Sequence, residues 1–231
     1  MKRPLLSLLA GAALLLSQSL PASANPLNTW QVSCAADPGS ITRKGKTWTF
    51  KTSTNHCPGG VWKQRAEIYS DRVNPTHKGT YLFRSTVSMT AGTNEKFDIF
   101  QIHDGRHGCA PPLKVDVLPS GQIELTSDLK TGPGESCERG ALGRSARQGV
   151  IRRDGTPQLL EVIIDFNGLG GFDAFVRVDG TLQVSGSYMP PTGAQYFQSK
   201  FFYFKHGVYS QRMFPYVLTS EGMTVKKVRL K

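Results

Sequence analysis

Three short segments of the sequence carry groups that can hold an anion or carry a proton. In an extended chain, successive side chains point to opposite faces. In 64–69, Arg65, Glu67 and Tyr69 then share one face, and Ala66 and Ile68 the other. In 97–103, Gln101 and His103 fall together, opposite Phe100 and Ile102. In 201–211, Tyr203, Lys205, Gly207 and Tyr209 fall opposite Phe202, Phe204 and Val208. Each segment offers an apolar face to a core and a polar face to something else. A polar ladder is ordinarily the solvated face of an antiparallel sheet. Such faces carry Lys, Glu, Thr and Ser, however, whereas these carry Gln, His and Tyr. Guanidinium and amide donors neutralise a carboxylate, and imidazole and phenol exchange protons.

The elements that must position these groups are strands. Alternation of β-branched and aromatic residues dominates the chain and helical periodicity is nearly absent. Strands are expected at 47–51, 80–88, 97–103, 113–118, 122–126, 148–153, 159–166, 172–178, 181–187, 201–209 and 223–230, besides 64–69. Turn signals at Pro119-Ser-Gly121, Asp154-Gly155 and Asp179-Gly180 separate them, the last reading as a hairpin. Residues 131–143, with Gly132, Pro133, Gly134 and Cys137, read as a long loop. Many short strands with Gly- and Pro-rich connections imply an all-β sandwich or barrel.

The chain has 231 residues and a formal net charge of +11. Met1-Lys2-Arg3, an apolar run over 5–16 and Ala22-Ser23-Ala24 make residues 1–24 a cleavable signal peptide, too short in its apolar run to span a bilayer. Residues 25–231 are then expected to form a single exported domain, secreted or periplasmic and monomeric. A hydrophobic content of 39% with 12 Phe excludes disorder. Four cysteines, Cys34, Cys57, Cys109 and Cys137, read as two disulfides in an exported protein. Pairing of near neighbours, Cys34–Cys57 and Cys109–Cys137, is favoured. A zinc site is the competing reading, but no C-x-x-C pair is present. The basicity calls for an acidic partner. With no basic helix or RNP-like motif, nucleic acid is a poor match, and an anionic polysaccharide such as a polyuronate fits a positive groove better. Improved solubility or adhesion to anionic surfaces is the plainer explanation of the charge.

Arg65-Ala66-Glu67-Ile68, Gln101-Ile102-His103 and Tyr203-Phe-Lys-His-Gly-Val-Tyr-Ser-Gln211 resemble, in order and spacing, the three signature motifs of polysaccharide lyase family seven, the alginate lyases. The third match is the most specific. Ala66, Tyr69 and His206 depart from the pattern, which points to a divergent branch or to a relative acting on another uronate polymer, such as glucuronan. The resemblance implies a concanavalin A-like jelly-roll β-sandwich, two antiparallel sheets with a concave substrate groove. It also implies cleavage of an anionic uronate polymer by β-elimination, without cofactor or metal.

In that reading Arg65 and Gln101 neutralise the substrate carboxylate, whose charge opposes the dianion that forms as C5 loses its proton. Tyr209 serves as base and acid, and His103 as an alternative base or carboxylate ligand. Lys205 biases Tyr209 toward phenolate or binds a neighbouring uronate. Glu67 orients Arg65, Tyr203 packs or stacks on sugar, and Gln211 binds hydroxyls. Each has a plainer alternative. Arg65 can simply pair with Glu67. Trp30, Trp48 and Trp62 read as core residues rather than sugar platforms, and His107 and His206 as loop histidines without a role.

Competing functions are weaker. A non-catalytic carbohydrate-binding module of the same fold would need no proton carrier. A sandwich glycoside hydrolase needs paired carboxylates, and Glu161-Val-Ile-Ile-Asp165 has the wrong spacing. A serine hydrolase would need G-x-S-x-G, which is absent.

Overall fold

The computed structural model describes residues 25–33, 36–55, 64–106, 108, 111–134 and 136–229. The expected signal peptide, Trp62, His107 and three of the cysteines lie outside these residues. Fourteen strands account for most of the described chain: β1 (Gln31–Ser33), β2 (Ile41–Lys44), β3 (Thr47–Lys51), β4 (Gln64–Tyr69), β5 (Lys78–Ala91), β6 (Phe97–His103), β7 (Leu113–Val117), β8 (Ile123–Lys130), β9 (Cys137–Arg144), β10 (Gln158–Asn167), β11 (Phe172–Val178), β12 (Thr181–Tyr188), β13 (Tyr203–Ser210) and β14 (Tyr216–Val228). They form two seven-stranded antiparallel sheets, ordered β1-β4-β13-β6-β7-β8-β9 and β12-β11-β10-β5-β14-β3-β2. The protein is an all-β jelly-roll sandwich.

Alternation builds the core. Phe83, Phe100, Phe166, Phe172, Phe202 and Phe204 are fully buried between the sheets. Within this layer Phe166 stacks on Phe204 and Phe202, while Phe83 meets Phe100 at 5.0 Å. Burying rings of this size supplies the dominant stabilising term of a sandwich. Trp48 is buried and Trp30 packs edge-on against Phe83, both as core residues. The Asp179-Gly180 signal is a two-residue hairpin between β11 and β12, with both residues at positive φ (52° and 78°).

Two expectations fail. Residues 131–143 are not one loop, because β9 pairs with β8 along their length. Its Cys-Glu-Arg-Gly-Ala-Leu-Gly-Arg sequence lacks β-formers since it lies at an edge, half exposed. Its Gly143 instead permits closure of the sandwich. A Cβ on Gly143 would meet the Ser185 carbonyl at 2.5 Å, and one on Gly186 of β12 would meet the Leu142 carbonyl at 2.8 Å. The edges of the two sheets touch there, and only glycine fits. Residues 148–153, in contrast, are an irregular crossing rather than a strand. Val150 and Ile151 are buried plugs, and apolar content alone mimicked a strand.

Candidate functional site

Strands β4, β13 and β6 are adjacent, and their register brings the three polar faces together. Tyr209 is opposite Arg65 on β4 and Asp98 on β6. Lys205 is opposite Tyr69 and Gln101, and Tyr203 is opposite His103. Arg65, Gln101, His103 and Tyr209, read from three separate segments, therefore share one sheet face. His206, expected in a loop, is a correction. It lies within β13 on the opposite face, wholly buried.

Glu67 is the hub. Its Oε2 accepts from Arg65 Nε at 3.0 Å and from Lys205 Nζ at 2.5 Å. Glu67 is 2% exposed and Lys205 1%, so these are bonds in a low-dielectric setting. Although burial raises it, the Glu67 carboxyl is held below its ordinary range by Lys205 and Arg65. Burial pushes the Lys205 ammonium down to about 8, against the pull of Glu67. The Arg65–Glu67 pair is thus present, and it uses only Nε; the guanidinium carries four further N–H donors. Arg65 and Lys205 also lie over the Tyr209 ring, at 5.4 and 5.8 Å from its centroid.

Gly207 makes this packing possible. It has φ +139°, and a Cβ there would lie 2.2 Å from the Ala66 carbonyl. Gly207 pairs with Glu67 across the ladder, so the two strands approach closely beside the hub.

His103 stacks on Tyr203 at 5.2 Å, and its Nδ1 accepts from the Gly105 amide at 3.1 Å. The neutral ring so held carries its proton on Nε2, which suits it to donate to a carboxylate. Tyr203 also meets Tyr69 at 6.0 Å and Phe201 at 5.8 Å, with Arg72 over Phe201 at 4.1 Å. Burial raises the Tyr203 phenol to about 12, so it packs rather than titrates. Gln211 is exposed just beyond β13.

The sequence reading missed the other half of this face. A cavity of about 610 Å³ extends from Tyr209 and Gln211 across β6–β9. Its walls are ionic and paired: Lys96 with Asp116 (3.3 Å), Lys114 with Asp128 (3.0 Å), Arg139 with Asp128 (3.4 Å) and Arg212 with Glu95 (3.7 Å). Among the described residues the surplus positive charge of the chain is therefore not concentrated here, and the cavity they line is not uniformly positive. Strict alternation from Gln101 would send Asp98 into the core. A bulge between Asp98 and Phe100 returns it to the polar face, opposite Asp116.

Cys137, at the start of β9, is disulfide-bonded. Cys34, Cys57 and Cys109 lie outside the described residues, as does either expected pairing.

No protein-family model matches this chain, and no curated protein matches it. Solved structures do. A family 7 alginate lyase, A1-II′, in complex with substrate aligns over 90% of this chain and 96% of its own, with TM-score 0.57 and 14% identity. The alginate lyase from Alteromonas sp. 272 aligns over 87% and 95%, with TM-score 0.53 and 17% identity. The alginate lyase from Klebsiella pneumoniae aligns over 85% and 87%, with TM-score 0.54 and 13% identity. Likeness at such identities concerns architecture: this chain is folded as those jelly-roll alginate lyases are.

Proposed function

We propose that the protein is an exported polysaccharide lyase that cleaves an anionic uronate polymer by β-elimination, with alginate the first substrate to test. The observation that carries the reading is the shared face of β4, β13 and β6. It holds a guanidinium, an amide, an imidazole and a phenol around one buried Glu67–Lys205 pair. Fold-level likeness to alginate lyases adds support by analogy.

In this mechanism Arg65, Gln101 and the Nε2–H of His103 bind the carboxylate at C6 of the sugar. They stabilise the charge that develops there as C5 loses its proton. Tyr209 takes the C5 proton, the C4–O bond breaks, and a C4–C5 double bond forms. The leaving oxygen departs with the electron pair of the broken bond and recovers a proton from the same phenol. Arg65 and Lys205 both lie over the Tyr209 ring, which places two cations beside the group that exchanges the proton. Residues 1–24 direct export and residues 25–231 act as one domain.

The test is absorbance of the conjugated uronate on mixing the protein with alginate, glucuronan or hyaluronan. Wild type should raise it on at least one polymer, and Tyr209→Phe should bind that polymer without turnover. Binding by both proteins with no absorbance change on any polymer would make this a binding module instead.

A further inference from the structure

We propose that Asp98 is a positioning residue: it retains one proton, donates it to Asp116, and in that neutral form fixes the Gln101 amide beneath the cleft. The inference rests on the lyase reading for its meaning but not for its measurement.

Four observations converge. The bulge in β6 sets Asp98 directly across from Asp116 on β7. Both are buried, at 7% and 1% exposure. Asp98 Oδ2 accepts from Gln101 Nε2 at 3.0 Å. Asp116 Oδ2 accepts from Thr126 Oγ1 at 2.7 Å and lies 3.3 Å from Lys96 Nζ, yet Asp116 Oδ1 is buried with no donor among the described residues. Two ionised carboxylates facing each other in low dielectric repel, and an orphaned buried oxygen is costly. One proton on Asp98 removes both faults, since its O–H then donates to Asp116.

The surroundings favour that arrangement. Lys114 of β7 and Glu67 of β4 act on Asp98, Lys205 of β13 lies within its field, and Glu124 of β8 approaches through Lys96. Burial first, and Asp116 second, push Asp98 well above the carboxylate range, outweighing Lys114. Burial also raises Asp116, but the bond from Asp98 together with Lys96 and Thr126 brings it below its usual value. The pair thus titrates as a unit holding one proton.

The consequence concerns charge beside the reacting sugar. An ionised Asp98 would add a negative charge where the cleft must accept a second one. A neutral Asp98 anchors one amide N–H of Gln101 without opposing the substrate, and the amide keeps a second N–H and its oxygen for the sugar.

The measurement compares Asp98→Asn with Asp98→Ala. Asparagine preserves both bonds, its NH2 donating to Asp116 and its oxygen accepting from Gln101. Asp98→Asn should keep kcat/KM within about threefold of wild type, while Asp98→Ala lowers kcat by roughly tenfold to a hundredfold. An Asn variant as impaired as the Ala variant, or an unimpaired Ala variant, overturns the proposal. Infrared spectra at neutral pH supply the readout that needs no turnover. Wild type should show the carbonyl stretch of a protonated buried carboxylic acid that Asp98→Asn lacks, and its absence in wild type refutes the shared proton. Lack of turnover by wild type on every polyuronate would sink the lyase reading while leaving the infrared result decisive for Asp98.

Discussion

The two halves of the polar sheet are built from different materials. Around β4 and β13 the face is aromatic, with Tyr69, Phe201 and His103 each in ring contact with Tyr203. Across β7, β8 and β9 it is ionic, with Lys96, Lys114 and Arg139 matched to Asp116 and Asp128. A pyranose ring likewise has two sorts of surface, flat C–H faces and a rim of hydroxyls and carboxylate. Rings suit the first through stacking, and paired charges suit the second through directed hydrogen bonds. The residues assigned to chemistry stand at the seam between the halves, where Arg65, Glu67 and Lys205 are buried enough for charge to act strongly. On the lyase reading proposed above, the contrast means that charge in this cleft would act locally, at one sugar, rather than as a general attraction for a polyanion.

The seam should break first. Glu67→Ala leaves Lys205 buried without its partner, and the expected loss is roughly 3–5 kcal/mol of stability, read by thermal or urea unfolding. Arg65→Ala should keep the fold and lower kcat/KM by about a hundredfold; an equally active variant would remove Arg65 from the site. On the aromatic side, Tyr203→Ala should raise KM by about fivefold, at any ionic strength, with kcat little changed. On the ionic side the expected sign reverses. Asp128→Asn releases Lys114 and Arg139 from their carboxylate, so binding of a homopolyuronate should tighten by about twofold, an advantage that disappears in high salt. Equal salt sensitivity of the Tyr203 and Asp128 variants would erase the distinction between the halves. The pH response belongs to the seam as well. Lys205 titrates at about 8, below the ordinary lysine value, so its ammonium is present below that pH and lost above it. Turnover that depends on its charge should fall as pH rises through 8, and Lys205→Met should abolish that limb.

Strand positions and the polar faces of β4, β6 and β13 were legible because alternation has a period of two and a buried face enforces it. The place of Asp98 was not, because a bulge there breaks that period and a local rule cannot foresee it. Strand β9 was hidden for a related reason. Its Gly143 serves close approach between sheet edges, a tertiary demand that overrides β-propensity. The loop expectation for His206 overlooks the strand expected at 201–209, whose alternation, with Phe202, Phe204 and Val208 on one face, already puts it on the core face of β13.

That histidine has a wider consequence. Its Nδ1–H donates to the Ile99 carbonyl of β6 at 2.8 Å, and its Nε2 accepts from Ser220 Oγ of β14 at 2.6 Å. Burial holds the ring neutral, with its pKa lowered to about 4. Oily layers can slide past one another by a residue at little cost, but a dowel with one fitting at each end cannot. The imidazole locks the alignment of one leaf against the other, so a deletion in β14, on the far leaf, would be felt at the bulge that aims Asp98.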